Sequence, residues 1–205
     1  MAKEDDLKAL EAEMAAARLP LETNLVFGEG NPDTKLLFIG EAPGRDEDAQ
    51  RRPFVGRGGQ LLRECIRASG FAEKDVYITN IVKRRPPENR DPLPEEIQAY
   101  QPYLARQIEI IAAPIIVTLG RFAMNYFLPA AKITRDQGKI FRMNGRCVVP
   151  MLHPAAALRS PDSMTAFRET FSKLSKIVEK CEALLKEPPA APGADQPKPR
   201  AQKLF

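Results

Sequence analysis

The sequence has few of the residues that most often mark a site: three cysteines and one histidine in 205 residues. Cys65, Cys147 and Cys181 are scattered and form no C-x-x-C pair, so neither a disulfide framework nor a local metal-binding knuckle is indicated. No apolar run approaches the roughly 20 residues that a membrane-spanning helix needs. The first residues show no leader pattern of charge followed by an apolar segment. We therefore expect a soluble, cytoplasmic protein without a membrane partner, and we expect it to act as a monomer.

The charge of the chain gives only a weak indication of a partner. Its 31 lysines and arginines against 27 acids leave a formal net charge of +4, and the isoelectric point is about 9.0. Such an excess fits a polyanionic partner, but it also fits ordinary solubility. The positions of the charged residues are needed to distinguish these two explanations.

The length suits one well-buried domain. We expect it to cover residues 1–186, with an N-terminal helix and lead-in over residues 1–24. Residues 187–205 contain five prolines and almost no apolar side chains before the last two positions. This composition predicts a disordered tail.

Hydrophobic periodicity predicts strands that alternate with helices. Apolar runs typical of buried strands cover residues 35–40, 75–80, 115–120 and 146–152. Between them, apolar residues recur at the spacing of amphipathic helices. This alternation predicts a mostly parallel, three-layer α/β fold.

Chemically rich loops follow the predicted strands, where working groups gather in open α/β sheets. Residues 40–59 hold four carboxylates, four arginines and Phe54; the next loop starts at Asn80 and is basic; the last contains His153. Each feature alone has an ordinary explanation, such as a turn, a solvated acidic face or a structural histidine. Together they predict an active site that faces an anion.

Several spaced motifs resemble the uracil-DNA glycosylase superfamily, most closely its family 4 enzymes. The resemblance covers about residues 26–174 and is carried by "GEAPGRDED", "RPFVGRGGQLL", "DVYITNIVKRRPPENRDP", "LGRFA" and "HPAAALR". It implies an α/β/α fold with a central four-stranded parallel sheet. It also implies hydrolysis of the N-glycosidic bond of deoxyuridine in DNA, which starts base excision repair.

The resemblance gives base-binding roles to residues whose chemistry fits them. Phe54 would stack on a flipped uracil, and the Asn80 amide would pair with uracil O4 and the N3 hydrogen, a pattern that cytosine reverses. His153 would stabilise the negative charge on the departing base. Ala42 and Gly44 would line the same pocket. Ala42 stands where the best-known family of the superfamily has its catalytic aspartate, so another acid must handle the water.

That acid must also stabilise the oxocarbenium-like sugar. Glu41 is best placed by the motif, and Glu47 and Asp48 come next. Sequence position alone does not rank the last two.

DNA would be held by two loops. Lys83, Arg84, Arg85 and Arg90 would contact phosphates without specifying sequence. The loop that begins at His153 would enter the minor groove, with its contacts supplied by Pro154, Leu158 and Arg159. Leu158 or Arg159 would be the wedge that fills the vacated stack.

The resemblance also exposes an absence. Family 4 enzymes carry an iron-sulfur cluster on four cysteines, and in an ungapped reading those positions are Glu13, Ala16, Arg84 and Tyr100. None of these side chains is a thiolate ligand. We therefore expect a member of the superfamily without a cluster or any other metal, with packing as the brace for the basic loop.

Two other functions stay open at this stage. One is a uracil-DNA binding protein with slow or no turnover; its covalent version would need a second histidine in the loop after Asn80. The other is a non-catalytic nucleic-acid binding module, which would not need Asn80 in a pocket lined by carboxylates. The terminal "AQKLF" loosely resembles motifs that dock on replication sliding clamps, which makes a clamp a further candidate partner.

Overall fold

The centre of the molecule is a six-stranded mixed β-sheet, seen in a computed structural model that describes residues 2–187. The strands lie in the order β1, β3, β2, β4, β6, β5. Their bounds are β1 Glu29–Gly30, β2 Leu36–Gly40, β3 Val76–Asn80, β4 Ile115–Leu119, β5 Phe141–Met143 and β6 Arg146–Met151.

The predicted four-stranded parallel sheet forms the middle of this sheet. β3, β2, β4 and β6 pair in parallel, and β1 and β5 add antiparallel pairs at the two edges. Strand signals appear in the sequence around Ile140, but neither edge strand was predicted as part of the sheet, because two or three residues that are half-buried or exposed give too short a periodic signal. The predicted α/β fold with a central four-stranded parallel sheet is confirmed, and the structure adds two short edge strands to it.

Nine α-helices surround the sheet within residues 2–187. Their bounds are α1 Lys3–Ala16, α2 Arg45–Gln50, α3 Arg57–Ala68, α4 Pro94–Ile111, α5 Gly120–Phe127, α6 Ile133–Asp136, α7 Pro154–Ala157, α8 Pro161–Ser172 and α9 Leu174–Lys186. Two single 3-10 turns precede β3 and α4. None of the helices in this range combines the length and the apolarity that crossing a membrane requires.

Alternation along the strands explains the three layers. On β2, Leu36 and Phe38 pack with α3, α8 and α9 on one face, while Leu37 and Ile39 pack with α1, α4 and α5 on the other. Successive side chains of a strand point to opposite faces, so one run of apolar residues supplies both cores. Every residue of β2, β3 and β4 is buried, as a central strand of a three-layer fold requires.

Parallel pairing brings four strand ends to one edge of the sheet. Gly40 at the end of β2 pairs with Asn80 at the end of β3, and Leu119 pairs with Met151 on the other side. The loops that follow these strands therefore meet at this edge. The predicted tail falls outside the described residues, apart from Glu187, and so does the clamp-like terminus.

Candidate active site

Phe54 and Asn80 lie together at this edge of the sheet. Phe54 has φ 54°, a left-handed conformation that turns the loop sharply, and its ring is buried against Gly40. A Cβ at Gly40 would overlap both the Phe54 ring and Asn80 Oδ1, so only glycine fits between them. Gly59, in the first turn of α3, lets the helix approach the Phe54 backbone equally closely.

The Asn80 amide is buried without a complete set of partners. Asn80 is 1% exposed, and its Oδ1 atom has no hydrogen-bond donor within the described part of the protein. A buried acceptor without a partner costs about 1–3 kcal/mol, so its retention calls for a ligand that supplies the donor. This is the atom that base recognition would use.

His153 lies near Phe54, two residues after the end of β6. Its ring centroid lies 5.9 Å from that of Phe54, and Gly120, with φ +85°, makes room for it at the start of α5. Its Nδ1 accepts a hydrogen bond from the Ala155 N–H at 3.2 Å. Burial, and to a smaller extent the charge of Arg159, lowers the pKa of His153 to about 4. The ring is therefore neutral at pH 7, with its proton on Nε2.

Within residues 2–187, no hydrogen bond or ion pair engages the carboxylate of Glu41, which directly follows the end of β2. Burial raises the pKa of Glu41 to about 7, the Asp91 carboxylate raises it as well, and Arg121 and Arg159 oppose the rise. A carboxyl group with a pKa near the working pH is suited to accept or hold a proton.

The two other candidate acids are occupied. Glu47 accepts hydrogen bonds from the backbone N–H groups of Val55 and Gly56 at 2.9 and 2.8 Å, and from Gly44 N–H at 3.2 Å. Asp48 accepts from Asn24 N–H at 2.8 Å. Glu47 thereby holds the loop that carries Phe54, and Asp48 ties α2 to the lead-in segment, because charged acceptors bind backbone N–H groups strongly. These contacts favour a structural role for both acids, and their part in water handling stays a prediction.

Ala42 and Gly44 lie beside these acids. Ala42 is half-buried against the apolar core on the α4 and α5 face. Gly44 precedes α2, and a Cβ there would come 2.8 Å from Glu47 Oε2. Gly44 therefore permits the Glu47 contact, and its predicted contact with a base stays a prediction, as does that of Ala42.

The basic loop is less free than its sequence indicates. Lys83 is 0% exposed and points into the core, so it does not reach a phosphate from this position. Arg84 donates to the carbonyl of Thr23. Arg90 makes a two-point ion pair with Glu96, at 2.8 and 2.6 Å.

Arg85 keeps the most freedom of these four cations. Its Nε donates to Asn89 Oδ1 at 2.7 Å, and its side chain forms no ion pair with a carboxylate within the described residues. The prediction that all four contact phosphate is therefore corrected for Lys83, and Arg84 and Arg90 are engaged within the protein.

The predicted minor-groove loop is exposed where a wedge needs to be. Pro154 is buried at the start of the short helix α7, and Leu158 and Arg159 follow its end. Leu158 is 38% exposed; of the large apolar side chains in residues 2–187, only Leu158 and Leu93 are classed as exposed. An exposed leucine on a proline-started turn is consistent with a wedge, whose role stays a prediction.

Sequence reasoning missed two charges at the rim. Arg121, at the start of α5, is ion-paired with Asp91 in the loop before α4. Both act on the pKa of Glu41. Both residues come shortly after predicted strands, which marks them as candidates for the edge where the site lies. Nothing in the sequence, however, pairs a residue that follows one strand with a residue that follows another.

The residues at the positions of the family 4 cluster do not fit a cluster. Glu13 is ion-paired with Arg106, Tyr100 is fully buried with its hydroxyl donating to the Pro20 carbonyl at 2.6 Å, and Ala16 offers no ligand atom. The three cysteines are buried and reduced elsewhere, on α3, β6 and α9. No group of three or more His, Cys, Asp or Glu side chains in residues 2–187 is arranged to hold a metal ion.

Comparison with known proteins decides the family. Residues 27–175 match the model of the uracil DNA glycosylase superfamily. The protein belongs to this superfamily. The match spans the six strands, the loops that follow the parallel strands and the stretch after His153, which are the elements that build the site.

Its relatives within the uracil DNA glycosylase superfamily include several of type 4. The chain is 42% identical to the type-4 uracil-DNA glycosylase of Archaeoglobus fulgidus, over 78% of this chain and 84% of that protein. It is 50% identical to the type-4 enzyme of Thermotoga maritima, over 67% and 73%, and 45% identical to that of Sulfurisphaera tokodaii, over 76% and 75%. The predicted affinity to family 4 is confirmed.

Proposed function

We propose that this protein is a uracil-DNA glycosylase that flips uracil out of DNA and hydrolyses its N-glycosidic bond. The observation that carries the proposal is the buried Asn80 Oδ1 atom, which has no donor in the described protein and lies beside the Phe54 ring. A flipped base read by its edge and held by its face needs this pair of groups. The superfamily membership and the type-4 relatives support the assignment.

Selection of uracil follows from the Asn80 amide. Oδ1 accepts the N3 hydrogen of uracil and the amide NH₂ donates to O4. Cytosine presents a bare nitrogen and an amino group at these places, so it would leave the buried Oδ1 unpaired and oppose donor to donor. An unpaired buried group costs about 1–3 kcal/mol, which makes the amide a selective contact.

Departure of the base is assisted by neutral His153. With Nδ1 occupied by the Ala155 N–H, the Nε2 proton is available to donate to uracil O2. A positioned donor stabilises the negative charge that develops as the bond to the sugar breaks. A ring with a pKa of about 4 is already neutral at pH 7 and holds no extra proton to transfer. His153 therefore acts as a hydrogen-bond donor and not as a general acid.

Glu41 acts on the other fragment. Its ionised carboxylate stabilises the positive charge on the sugar and orients the attacking water, from which it accepts a proton. A pKa of about 7 leaves the group able to take that proton and release it again at neutral pH.

We propose further that the enzyme works without an iron-sulfur cluster. Hydrogen bonds join the lead-in segment to the basic loop: Val26 N–H donates to Lys83 O at 2.7 Å, and Arg85 N–H donates to Thr23 Oγ1 at 2.8 Å. Together with the Arg84 and Tyr100 contacts, these bonds brace the loop that a cluster would otherwise tie down. Stoichiometric iron and visible absorption in purified protein would contradict this proposal.

The decisive experiment uses an oligonucleotide with a single deoxyuridine. We expect release of free uracil and an abasic site, measured by chromatography and by cleavage of the abasic strand. A stable covalent adduct, or tight binding with no released base, would instead identify a uracil-DNA binding protein. Asn80→Ala, which removes the edge-reading amide, serves as the matched control.

A further inference from the structure

Lys83 is the only buried lysine in the part of the chain that the structure describes, and the proposed reaction does not use it. Its Nζ atom donates hydrogen bonds to Thr79 Oγ1 and Gln107 Oε1, both at 2.5 Å, and lies 5.9 Å from the centroid of the Phe27 ring. Burial lowers its pKa well below the ordinary value. Burying an amine away from water costs free energy, so we expect Lys83 to stabilise a particular arrangement of its neighbours.

Lys83 stabilises the side of β3 that faces α4. Thr79 Oγ1 donates to the Phe27 carbonyl at 2.7 Å, and Gln107 Nε2 donates to the same carbonyl at 3.1 Å. The network therefore joins β3 to α4 and to the lead-in segment through Lys83. Each member is buried, so the bonds are shielded from water and fix the strand firmly.

The position of Thr79 in β3, directly before Asn80, connects this network to the candidate active site. Thr79 shares the α4 face with Tyr77, whereas the next residue, Asn80, faces Phe54 on the opposite side. Side chains alternate along a strand, so any rotation of Thr79 about the strand axis moves Asn80 in the opposite sense. Asn80 Oδ1 has no donor on its own side among the described residues, so no hydrogen bond there sets the direction of this oxygen.

We propose that Lys83 is a positioning residue for Asn80, acting through Thr79 and Gln107 to aim the amide at the edge of the base. The inference rests on the proposed function and deepens it. It also replaces the phosphate contact that the sequence predicted for Lys83 with a part in base selection.

A double-mutant cycle tests the link. Lys83→Met keeps most of the length of the unbranched side chain and removes its donors. We expect its single-turnover rate of uracil release to fall about 10- to 100-fold, as for misplacement of a recognition group by about 1 Å. In an Asn80→Ala background, where no amide remains to be aimed, the same change should cost less than about threefold.

Two further variants separate aim from stability. Thr34→Val removes a buried hydroxyl that donates to the Asp75 carbonyl at 2.7 Å, beyond the other end of the strands, and should lower the melting temperature while leaving the rate unchanged. Thr79→Val, nearly isosteric, tests the same link if Lys83→Met folds poorly. It should show the same loss and the same dependence on Asn80.

The outcomes are distinct. A loss that is confined to proteins with Asn80 supports the positioning role. Equal losses in both backgrounds, or no loss in either, would overturn it. Absence of uracil release from the wild-type protein would overturn the proposed function itself, and the inference with it.

Discussion

The backbone N–H of Ala155 donates to Nδ1 of His153, two residues before it, and so fixes which nitrogen of the neutral ring carries the proton. The bond belongs to the start of α7, where His153 is the N-cap residue. A local capping contact thus sets the tautomer that leaving-group stabilisation needs.

Replacing His153 with alanine should slow catalysis far more than it weakens DNA binding. The donor to uracil O2 acts mainly on the developing charge, so its loss should raise the barrier by about 2–4 kcal/mol. Single-turnover excision and binding of a non-cleavable deoxyuridine analogue measure the two effects separately. A near-normal rate would make His153 structural.

The rate should depend on pH through Glu41. Its pKa of about 7 means that the active, ionised form is lost as the pH falls through 7. We expect the single-turnover rate to fall by about tenfold per pH unit below about pH 6. Glu41→Gln should be slow and independent of pH between 5.5 and 8.5. A wild-type rate that stays flat across this range would refute the assignment.

Glu41 should also make the protein less stable at the pH where it works. The folded state holds the proton more tightly than the unfolded state, so stability is present at low pH and is lost as the pH rises through about 7. After allowance for partial exposure, Glu41→Gln should stabilise the protein by about 1–2 kcal/mol at pH 8. Urea titrations at pH 5 and pH 8 should show a clearly larger difference at pH 8.

Asn80→Asp should exchange one base preference for another. An ionised carboxylate would face the lone pairs of uracil O4, a buried mismatch that costs about 1–3 kcal/mol or more, while the amino group of cytosine would find an acceptor. We expect most uracil release to be lost and weak cytosine release to appear, without that gain in Asn80→Ala. Excision assays on paired and single-stranded DNA with either base measure this. Wild-type uracil activity in Asn80→Asp would rule out edge reading by Asn80.

Glu47→Gln should distinguish a structural acid from a catalytic one. Glutamine keeps an acceptor for the Val55 and Gly56 N–H groups and loses the charge and the bond to Gly44. We expect a loss of about 1–2 kcal/mol in stability and a rate within about tenfold of wild type. A loss of activity as large as that of Glu41→Gln would restore Glu47 as a candidate catalyst.

Sequence predicted the fold and the loops of the site well, because both depend on local pattern. Strand runs and glycine positions are written in consecutive residues, and the order of parallel strands places their ends together. The fate of individual charges was not predictable in this way. Lys83 and Arg85 are two positions apart in one basic run, yet one is fully buried and the other half-exposed.

The difference between the candidate acids is equally non-local. Glu47 and Asp48 accept hydrogen bonds from backbone groups of other segments, at Val55 and Asn24, whereas Glu41 accepts none from the described part of the chain. Only the path of the loop decides which carboxylate meets an N–H group. The sequence predicted the set of candidate acids, and the packing of the loop distinguishes Glu41 from the other two as the candidate that acts on water.

The missing Cβ of Gly40 has a consequence for how the substrate range of this protein changes. The Asn80 amide and the Phe54 ring both lie where a Gly40 side chain would be, so any side chain at Gly40 displaces both groups. Substitutions at Gly40 should therefore abolish the site before they reshape it. New base preferences are expected to arise through Asn80 itself or through paired changes, which makes Gly40 a poor target for one-residue redesign.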